Sequence, residues 1–415
     1  MQQLRLPRRL QVPRRPLIPR ARTNSEMPKM QQHRNHHSRK RMHHQEHQNA
    51  GLTMQKSSAS FRDPALTKRV TQQISKLAPS RPVKICHVCG THEWTISHFG
   101  LRSLLPENVD VIAGPGCPVC IIPAAEIDEA IKLALEKNVT IVTFGDLLRV
   151  PGSELSLQDA RARGGDVQVV YSITDAVKTA EKEPRREFAF LAVGFETTAP
   201  STAVEVLKKP PSNLSFLVSH RLIPPAMELL MTVEDLHIDG FIAPGHVSTI
   251  IGLKPYEPFP QVYHVPTVVA GFEPLDVLFA VSMILQQIRN NEAKVENEYT
   301  RVVAYDGNVK AQQLLSQAFD VAEGGWRGLG KVKASALALK PEYKDYDTRS
   351  KYNIKITKAR DIYPGCRCHH IMLGKIKPAE CPLYMEQCTP QTPKGACMVS
   401  MEGTCRIWAR HTTGK

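Results

Sequence analysis

Residues 83–93, Val-Lys-Ile-Cys-His-Val-Cys-Gly-Thr-His-Glu, place a short apolar run directly before a glycine-containing turn. The same arrangement recurs at 109–120, where an apolar run leads into Gly-Pro-Gly-Cys-Pro-Val-Cys. Short apolar runs that are bounded by turn residues are typical of buried strands. We therefore predict strands at Val83–His87 and Val109–Ala113, each followed by a loop that carries cysteines.

Working outward, apolar runs, glycine-containing loops and amphipathic helices alternate from residue 61 to about residue 290. Further strands are predicted at Thr140–Phe144, Val167–Tyr171, Phe188–Val193, Leu214–Val218, Gly240–Ala243 and Val265–Val269. Helices are predicted at Ala124–Lys137, Thr198–Lys208, Pro225–Val233 and Pro274–Asn290. Such alternation predicts an α/β fold with parallel sheets, and sites in these sheets form beyond the carboxyl ends of the strands.

An internal similarity suggests that the α/β part is duplicated. Val-Ile-Ala-Gly-Pro-Gly-Cys-Pro (111–118) resembles Phe-Ile-Ala-Pro-Gly-His-Val-Ser (241–248), because each has a strand pattern followed by a Pro-Gly turn. We predict two similar parallel-sheet α/β domains at 61–175 and 176–295. Strand patterns thin out from about residue 300 while cysteines become frequent, so 296–415 is predicted to be a small, mainly helical iron–sulfur domain.

The net charge of +14 is concentrated at the start of the chain. Residues 1–60 carry 13 Lys and Arg against two Glu, a charge of +11, which leaves +3 for the other 355 residues. This Arg-rich segment without apolar periodicity is predicted to be a disordered leader, with organelle targeting as the less favoured alternative. Because the remainder is nearly neutral and aromatic residues make up 6% of the chain, no nucleic-acid partner is expected.

Length and apolar patterning point to a cytoplasmic protein with redox or metal-binding thiols. The sequence contains no apolar run of about 18 residues, so no membrane span is predicted, and its opening lacks the apolar core of a secretory signal. The chain has ten cysteines in 415 residues. In a long chain without an export signal, cysteines indicate metal sites or redox chemistry more than disulfide staples.

The first group of cysteines lies in the two loops that follow the first two predicted strands. These loops can bring Cys89, His92, Cys117 and Cys120 together at one sheet edge, and thiolate and imidazole ligands suit iron or zinc. Cys117 and Cys120 also form a Cys-x-x-Cys pair, for which a metal site and a redox dithiol are equally open, and a buried or disulfide-forming pair is the structural alternative. Cys86 points to the other face of its strand, and we predict that it is a buried core thiol.

Polar residues follow two later strands as well, in Gly-Phe-Glu-Thr-Thr-Ala-Pro (194–200) and Gly-His-Val-Ser (245–248). Glu196 and Thr197 can face a site, or a threonine here can cap the next helix. His246 can be catalytic or structural. Each pattern is weak when taken alone, but their shared position after strands favours one composite site.

The second group of cysteines is concentrated near the C-terminus. Its members are Cys366, Cys368, Cys381, Cys388, Cys397 and Cys405. A zinc site takes four thiolates and leaves two unexplained. A [4Fe–4S] cluster with a redox dithiol uses all six.

Several long motifs together resemble those of the HypD family, which matures [NiFe] hydrogenases. They are Cys-Gly-Thr-His-Glu (89–93), Gly-Pro-Gly-Cys-Pro-Val-Cys (114–120), Phe-Gly-Asp-Leu-Leu-Arg-Val-Pro-Gly-Ser (144–153), Gly-Phe-Glu-Thr-Thr-Ala-Pro (194–200), Pro-Gly-His-Val-Ser (244–248), Gly-Phe-Glu-Pro-Leu-Asp (271–276) and Gly-Ala-Cys-Met-Val-Ser-Met-Glu-Gly-Thr-Cys (395–405). The resemblance runs from about residue 61 to residue 411, in the family's order.

The resemblance implies a scaffold on which the Fe(CN)₂CO unit of the hydrogenase is built, together with a HypC-type chaperone and HypE. The hydrogenase large-subunit precursor is then an indirect partner. It also implies that Cys89 is the iron ligand, with Cys117 and Cys120 as nearby thiols for iron binding or redox exchange. His92 and Glu93 are implied to line the site.

The C-terminal cysteine spacing is similar to that of ferredoxin:thioredoxin reductase. This likeness implies that the cluster ligands are Cys366, Cys381, Cys388 and Cys405. It implies that Cys368 and Cys397 form a dithiol beside the cluster. Electrons are then expected to pass from the cluster through this dithiol to Cys117 and Cys120 by thiol exchange.

The sequence departs from the family pattern at two places. His369-His370 follows Cys368, where the family usually has Gly-Glu, and segment 331–340 lacks an expected glycine. Neither change removes an implied ligand. The alternative function is a cluster-dependent reductase of protein disulfides, and no reaction on a free metabolite is assigned.

Overall fold

The computed structural model describes residues 61–411. The strands are β1 (Val83–His87), β2 (Val109–Ala113), β3 (Thr140–Thr143), β4 (Val167–Val169), β5 (Phe188–Gly194), β6 (Leu214–His220), β7 (Gly240–Pro244), β8 (Thr267–Ala270), β9 (Val295–Asn297), β10 (Phe319–Trp326) and β11 (Gly330–Leu339). The leader prediction for residues 1–60 lies outside the described residues.

Helices connect these strands and fill the C-terminal region. The α-helices are α1 (Pro64–Leu77), α2 (Gly90–His98), α3 (Pro118–Ile121), α4 (Ala124–Glu136), α5 (Leu157–Ala162), α6 (Ile173–Lys182), α7 (Ala199–Leu207), α8 (Ile223–Met231), α9 (Gly245–Ile251), α10 (Pro258–Val262), α11 (Pro274–Arg289), α12 (Val309–Ala318), α13 (Thr348–Tyr352), α14 (Cys368–Met372), α15 (Ala396–Val399) and α16 (Thr404–His411). Short 3-10 helices span Leu101–Leu104, Gly145–Arg149, Lys254–Tyr256, Pro341–Tyr346 and Pro378–Glu380. Within residues 61–411 no helix has the length and apolar character needed to cross a membrane.

Two parallel sheets form the α/β part and confirm the predicted fold class. The first has the strand order β2-β1-β7-β8-β9, and the second has the order β4-β3-β5-β6. All neighbouring strands in both sheets are parallel. Each of the eight predicted strands corresponds to one of these strands, with ends that differ by up to two residues.

The two sheets do not divide the chain in sequence order. The five-stranded sheet takes β1 and β2 from the start of the α/β part and β7 to β9 from its end, while β3 to β6 form the other sheet. A boundary near residue 175 separates β4 from β5, which belong to the same sheet. The sheets therefore do not follow that boundary, because strand pairing in a parallel sheet joins segments that lie far apart in sequence.

A long antiparallel hairpin, β10–β11, precedes the cysteine-rich region and was not predicted. Its register shifts between Ala322 and Gly324, and the burial of β11 does not alternate regularly from residue to residue. A sequence pattern of period two is the signal that identifies a half-buried strand, and this hairpin lacks it. Beyond the hairpin, α14, α15 and α16 carry cysteines, which agrees with a helical C-terminal region.

The first sheet separates two apolar cores, and β1 contributes to both. Val83 and Ile85 pack with α1 and α11 on one side. Cys86 packs in the other core, which holds Cys117, Cys120 and all six C-terminal cysteines. The predicted burial of Cys86 is confirmed, since its side chain is fully covered. The alternation of side chains along one strand thus brings the sheet and the C-terminal cysteines into a single core.

Candidate metal centre and cysteine cavities

Cys89 lies at the turn between β1 and α2. It occupies the N-cap position of α2 with an extended backbone, so its side chain is near the free backbone amides of the first helical turn. Burial raises the pKa of the Cys89 thiol to about 11, and the nearby Glu402 carboxylate adds to this, while the amides of His92 and Thr91 oppose it. A metal that binds Cys89 must therefore displace the thiol proton.

Cys117 is the N-cap of the short helix α3, Cys120 lies within that helix, and the two form a disulfide. The sequence left a metal site and a redox pair equally open for these two residues. In the disulfide form neither sulfur is a thiolate, so neither can be a strong metal ligand until two electrons reduce the bond. The structure thus presents the oxidised, disulfide form of this pair.

The two cysteine loops are held against each other by backbone contact. The Gly90 amide donates to the Gly116 carbonyl at 3.2 Å, and the Gly114 amide donates to the His87 carbonyl at 2.8 Å. A Cβ at Gly116 would overlap the backbone nitrogen of Cys89. Only glycine permits this close approach of the two loops.

We predict that Gly116→Ala separates the two loops and lowers the free energy of unfolding by about 1–3 kcal/mol, as overpacking does. Gly145→Ala is the matched control, because the nearest heavy atom to its Cβ is 3.5 Å away, an ordinary contact. Chemical unfolding under anaerobic conditions measures both. Equal stability of the two variants would show that the loops can move apart without cost.

A small enclosed cavity joins these loops to the C-terminal region. Its volume is about 10 Å³, and its lining includes His87, Cys89, the Cys117–Cys120 pair, Cys397 and Glu402. The sequence analysis brought the two loops together but did not predict His87 or Glu402 here. Glu402 lies within the quoted motif 395–405, yet nothing in its spacing places it beside Cys89, which is more than 300 residues away.

A second cavity of about 10 Å³ is surrounded by sulfur. Its lining includes all six C-terminal cysteines, namely Cys366, Cys368, Cys381, Cys388, Cys397 and Cys405. All six are free thiols and all are buried. Cys397 lines both this cavity and the one beside Cys89. Cys397 is therefore the thiol that connects the cavity beside Cys89 with the cavity of the C-terminal cysteines.

The sulfurs of the second cavity also have polar contacts, although burial still raises the pKa of Cys388 above its ordinary value. A hydrogen bond from Cys368 lowers the pKa of Cys366 to about 7, helped by the charge of Arg327. The Cys405 amide donates to Cys397 Sγ at 3.2 Å, and the Lys394 amide donates to Cys388 Sγ at 3.3 Å. Hydrogen bonds of this kind stabilise negative charge on sulfur.

The donor set of the second cavity fits an iron–sulfur cluster. Six soft thiols surround one apolar space, and cluster ligation uses four such thiolates. Within residues 61–411, no three His, Cys, Asp or Glu side chains converge as ligands for a single metal ion. A cluster is larger than one ion, so its ligands stand further apart. For a mononuclear iron at Cys89, by contrast, the described residues 61–411 do not present a complete ligand set.

Glu93 was expected to line the site, and the structure places it in a buried charge network instead. Its carboxylate accepts from two Arg102 nitrogens at 2.9 and 2.7 Å and from Trp408 Nε1 at 2.8 Å. Burial alone would raise the pKa of Glu93, but Arg102 and His87 hold it well below its usual range. The carboxylate is thus ionised and connects α2 to α16.

His92 and His246 lie on opposite faces of Phe272. His92 stacks on that ring at 4.8 Å between centroids, and His246 stacks at 3.9 Å. His92 Nε2 donates to the Gly271 carbonyl at 2.8 Å, and burial lowers the pKa of His92 to about 3. Neither imidazole lines the cavity beside Cys89. His92 therefore holds the loop after β8, an arrangement that the motifs did not reveal.

Glu196 and Thr197 are also outside both cysteine cavities. Glu196 is buried, and its Oε1 accepts from the Ile223 amide at 2.9 Å, which connects the end of β5 to α8. Burial raises the pKa of Glu196 to about 7. Thr197 is exposed, and the N-cap of α7 is Thr198, whose side chain makes no capping hydrogen bond. The composite site thus brings together the cysteine loops but not these two residues.

Comparison with known proteins identifies one family over nearly all of the described chain. The family model HypD, described as "Hydrogenase formation hypA family", matches residues 65–412. A hydrogenase expression/formation protein of Methanocaldococcus jannaschii is 48% identical over 356 residues, which are 85% of this chain and 99% of the relative. Hydrogenase maturation factor HypD of Rhizobium leguminosarum bv. viciae is 45% identical, over 84% of this chain and 94% of its own. The HypD of Escherichia coli is 44% identical, over 80% of this chain and 90% of its own.

Proposed function

Since the chain belongs to the HypD family of hydrogenase maturation factors, we propose that it is a scaffold on which the Fe(CN)₂CO unit of [NiFe] hydrogenase is assembled, with a HypC-type chaperone and HypE. The observation that supports this proposal is that the Cys89 thiol, the Cys117–Cys120 disulfide and Cys397 line the same cavity. One ligand thiol beside one reducible pair is what iron binding coupled to reduction requires.

The incomplete ligand set of this chain supports a site shared with a partner. Cys89 is a free thiol, whereas Cys117 and Cys120 are bonded to each other. No group of three donors in the described part of the chain is arranged around one ion. The iron therefore takes further ligands from the HypC-type chaperone, and the hydrogenase large-subunit precursor receives the finished unit indirectly.

The C-terminal cysteines supply reducing power in this proposal. Cys366, Cys381, Cys388 and Cys405 would hold a [4Fe–4S] cluster, which would supply one-electron transfer from an external reductant. Cys368 and Cys397 form the dithiol beside it.

Thiol exchange then passes two electrons to the first cavity. The Cys397 thiolate attacks one sulfur of the Cys117–Cys120 disulfide, which releases the other as a thiolate and leaves a mixed disulfide. Cys368 attacks Cys397 in that mixed disulfide and frees the second thiolate. The products are the Cys117/Cys120 dithiol, after two protons are taken up, and a Cys368–Cys397 disulfide. Two electrons from the external reductant and two protons then return this disulfide to the Cys368/Cys397 dithiol.

Mössbauer spectroscopy of the anaerobic complex with its HypC-type partner tests the scaffold. We expect the wild-type complex, enriched in ⁵⁷Fe, to show an iron beyond the cluster, and Cys89→Ala to lose it. Cys86→Ala is the matched control, since Cys86 is buried three residues away and lines neither cavity. Identical spectra from wild type and Cys89→Ala would rule out the assignment of Cys89.

The second candidate function is a reductase of protein disulfides, which the Cys117–Cys120 disulfide and the six neighbouring thiols favour. Its substrate would be a disulfide on a partner protein. A reductase keeps its activity in Cys89→Ala and loses it in Cys368→Ser, whereas a scaffold loses its iron in Cys89→Ala. A disulfide-reduction assay with reduced cluster as the electron donor separates the two functions.

A further inference from the structure

His87, the last residue of β1, lies at the wall of the cavity beside Cys89. Its side chain is 1% exposed. Nε2 of the ring is 2.8 Å from Glu93 Oε2. The sequence analysis singled out His92 and not His87, so the structure brings a different imidazole to the cysteines.

The contacts of Glu93 fix which ring nitrogen of His87 carries the hydrogen. Ser97 Oγ donates to Glu93 Oε1 at 2.6 Å, in addition to the bonds from Arg102 and Trp408. An ionised carboxylate can only accept hydrogen bonds, so His87 Nε2 must be the donor in their contact. In the neutral ring that donates through Nε2, Nδ1 keeps its lone pair.

That lone pair accepts no hydrogen bond from any of the described residues. His87 Nδ1 is buried and finds no hydrogen-bond partner among residues 61–411. His92 Nδ1 is unpartnered too, but the His92 ring stacks on Phe272 and is not part of the cavity lining. An unpaired buried acceptor costs free energy, and such groups often mark a site for a ligand.

We propose that His87 supplies a nitrogen ligand, through Nδ1, to the iron that Cys89 binds, a proposal that rests on the scaffold function above. Histidines that bind metals almost always donate their other ring N–H to a carboxylate, which sets the tautomer and the ring orientation. Glu93, held by Arg102 and Trp408, is that carboxylate. The iron ligands of this chain are then one thiolate and one imidazole, and the partner completes the set.

His87→Gln tests this ligand, with His92→Gln as the matched control. Glutamine retains an N–H donor for Glu93 but has no imidazole lone pair. In the ⁵⁷Fe-enriched complex with the HypC-type partner, we expect His87→Gln to weaken retention of the extra iron by at least about 10–100-fold, the range for metal sites that lose only a hydrogen-bond partner of a ligand. We expect the remaining iron to have an altered quadrupole splitting. His92→Gln is expected to retain the wild-type iron.

A second measurement leaves His87 itself unchanged, so it does not depend on how His87→Gln folds. Co²⁺ is loaded in place of the extra iron, and Cys89→Ala identifies its thiolate absorption band. Histidine in this chain alone is labelled with ¹⁵N, and pulsed EPR is expected to show the ¹⁵N coupling in place of ¹⁴N. The proposal is wrong if no coupling changes, or if His87→Gln retains iron with the wild-type doublet. If Cys89→Ala retains that iron as well, the scaffold function itself is wrong.

Discussion

Glu93→Ala lowers the free energy of unfolding by about 3 kcal/mol, at the lower end of the range for breaking a buried ion pair. The carboxylate is fully buried, while the side chain of Arg102 is 23% exposed and so retains part of its hydration. The substitution leaves Arg102 without its partner and removes the acceptor of Trp408 Nε1 and of His87 Nε2. Anaerobic urea unfolding, followed by tryptophan fluorescence, measures the loss.

Glu205→Ala is the control for this prediction. Glu205 is also a buried helical glutamate, but its partner Lys208 is 64% exposed. An ion pair with an exposed partner contributes about 0–1 kcal/mol to stability. Glu205→Ala is therefore expected to lower the free energy of unfolding by less than about 1 kcal/mol. Similar losses in the two variants would mean that the network around Glu93 does not connect α2 to α16.

The sign of the pH dependence follows from the low pKa of Glu93 in the folded state. A carboxylate with a depressed pKa contributes stability that is fully present above its unfolded pKa, which is about 4.3. This contribution is lost as the pH falls through the folded value. The difference in stability between wild type and Glu93→Ala is therefore expected to be constant from about pH 6 to pH 8 and to shrink below about pH 4.

The strands were predictable from sequence because their signal is local. Each apolar run with its turn, such as Val83–His87, carries enough information to place one strand. β7 lies between β1 and β8 in the sheet. Its pairing with β1 joins segments about 150 residues apart, and a local sequence pattern carries no information about such pairing. The β10–β11 hairpin was missed for the complementary reason that its residues lack a regular apolar alternation.

The part of the candidate site that could be predicted from sequence is the part made of cysteines, which are rare residues that occur close together in short motifs. Both cysteine groups were found from spacing alone. The placement of the histidines was not, because the sequence analysis named His92 as a candidate ligand and did not consider His87. Only the tertiary contacts of Glu93 and Phe272 assign one ring to the cavity and the other to the loop after β8.

Cys397→Ser slows the reduction of the Cys117–Cys120 disulfide by at least about 100-fold, because a serine hydroxyl cannot form the mixed disulfide. Cys397 lines both cavities, so the proposed exchange between them depends on its thiol. Gly403 packs against the carbonyl of Cys397, and a Cβ at position 403 would overlap that oxygen. This close contact fixes the position of α15. The cluster is expected to remain, since Cys397 is not among its four implied ligands.

The rate is measured by alkylating free thiols over time after the proposed cluster is reduced. Mass spectrometry of the Cys117–Cys120 peptide gives the alkylated fraction at each time. Cys86→Ser is the matched control, because Cys86 belongs to the same apolar core but lines neither cavity. Reduction at the wild-type rate in Cys397→Ser would place the electron path elsewhere. Loss of the cluster absorbance in that variant alone would instead make Cys397 a cluster ligand, and Cys405, whose amide donates to Cys397 Sγ, would then be the candidate for the exchange thiol.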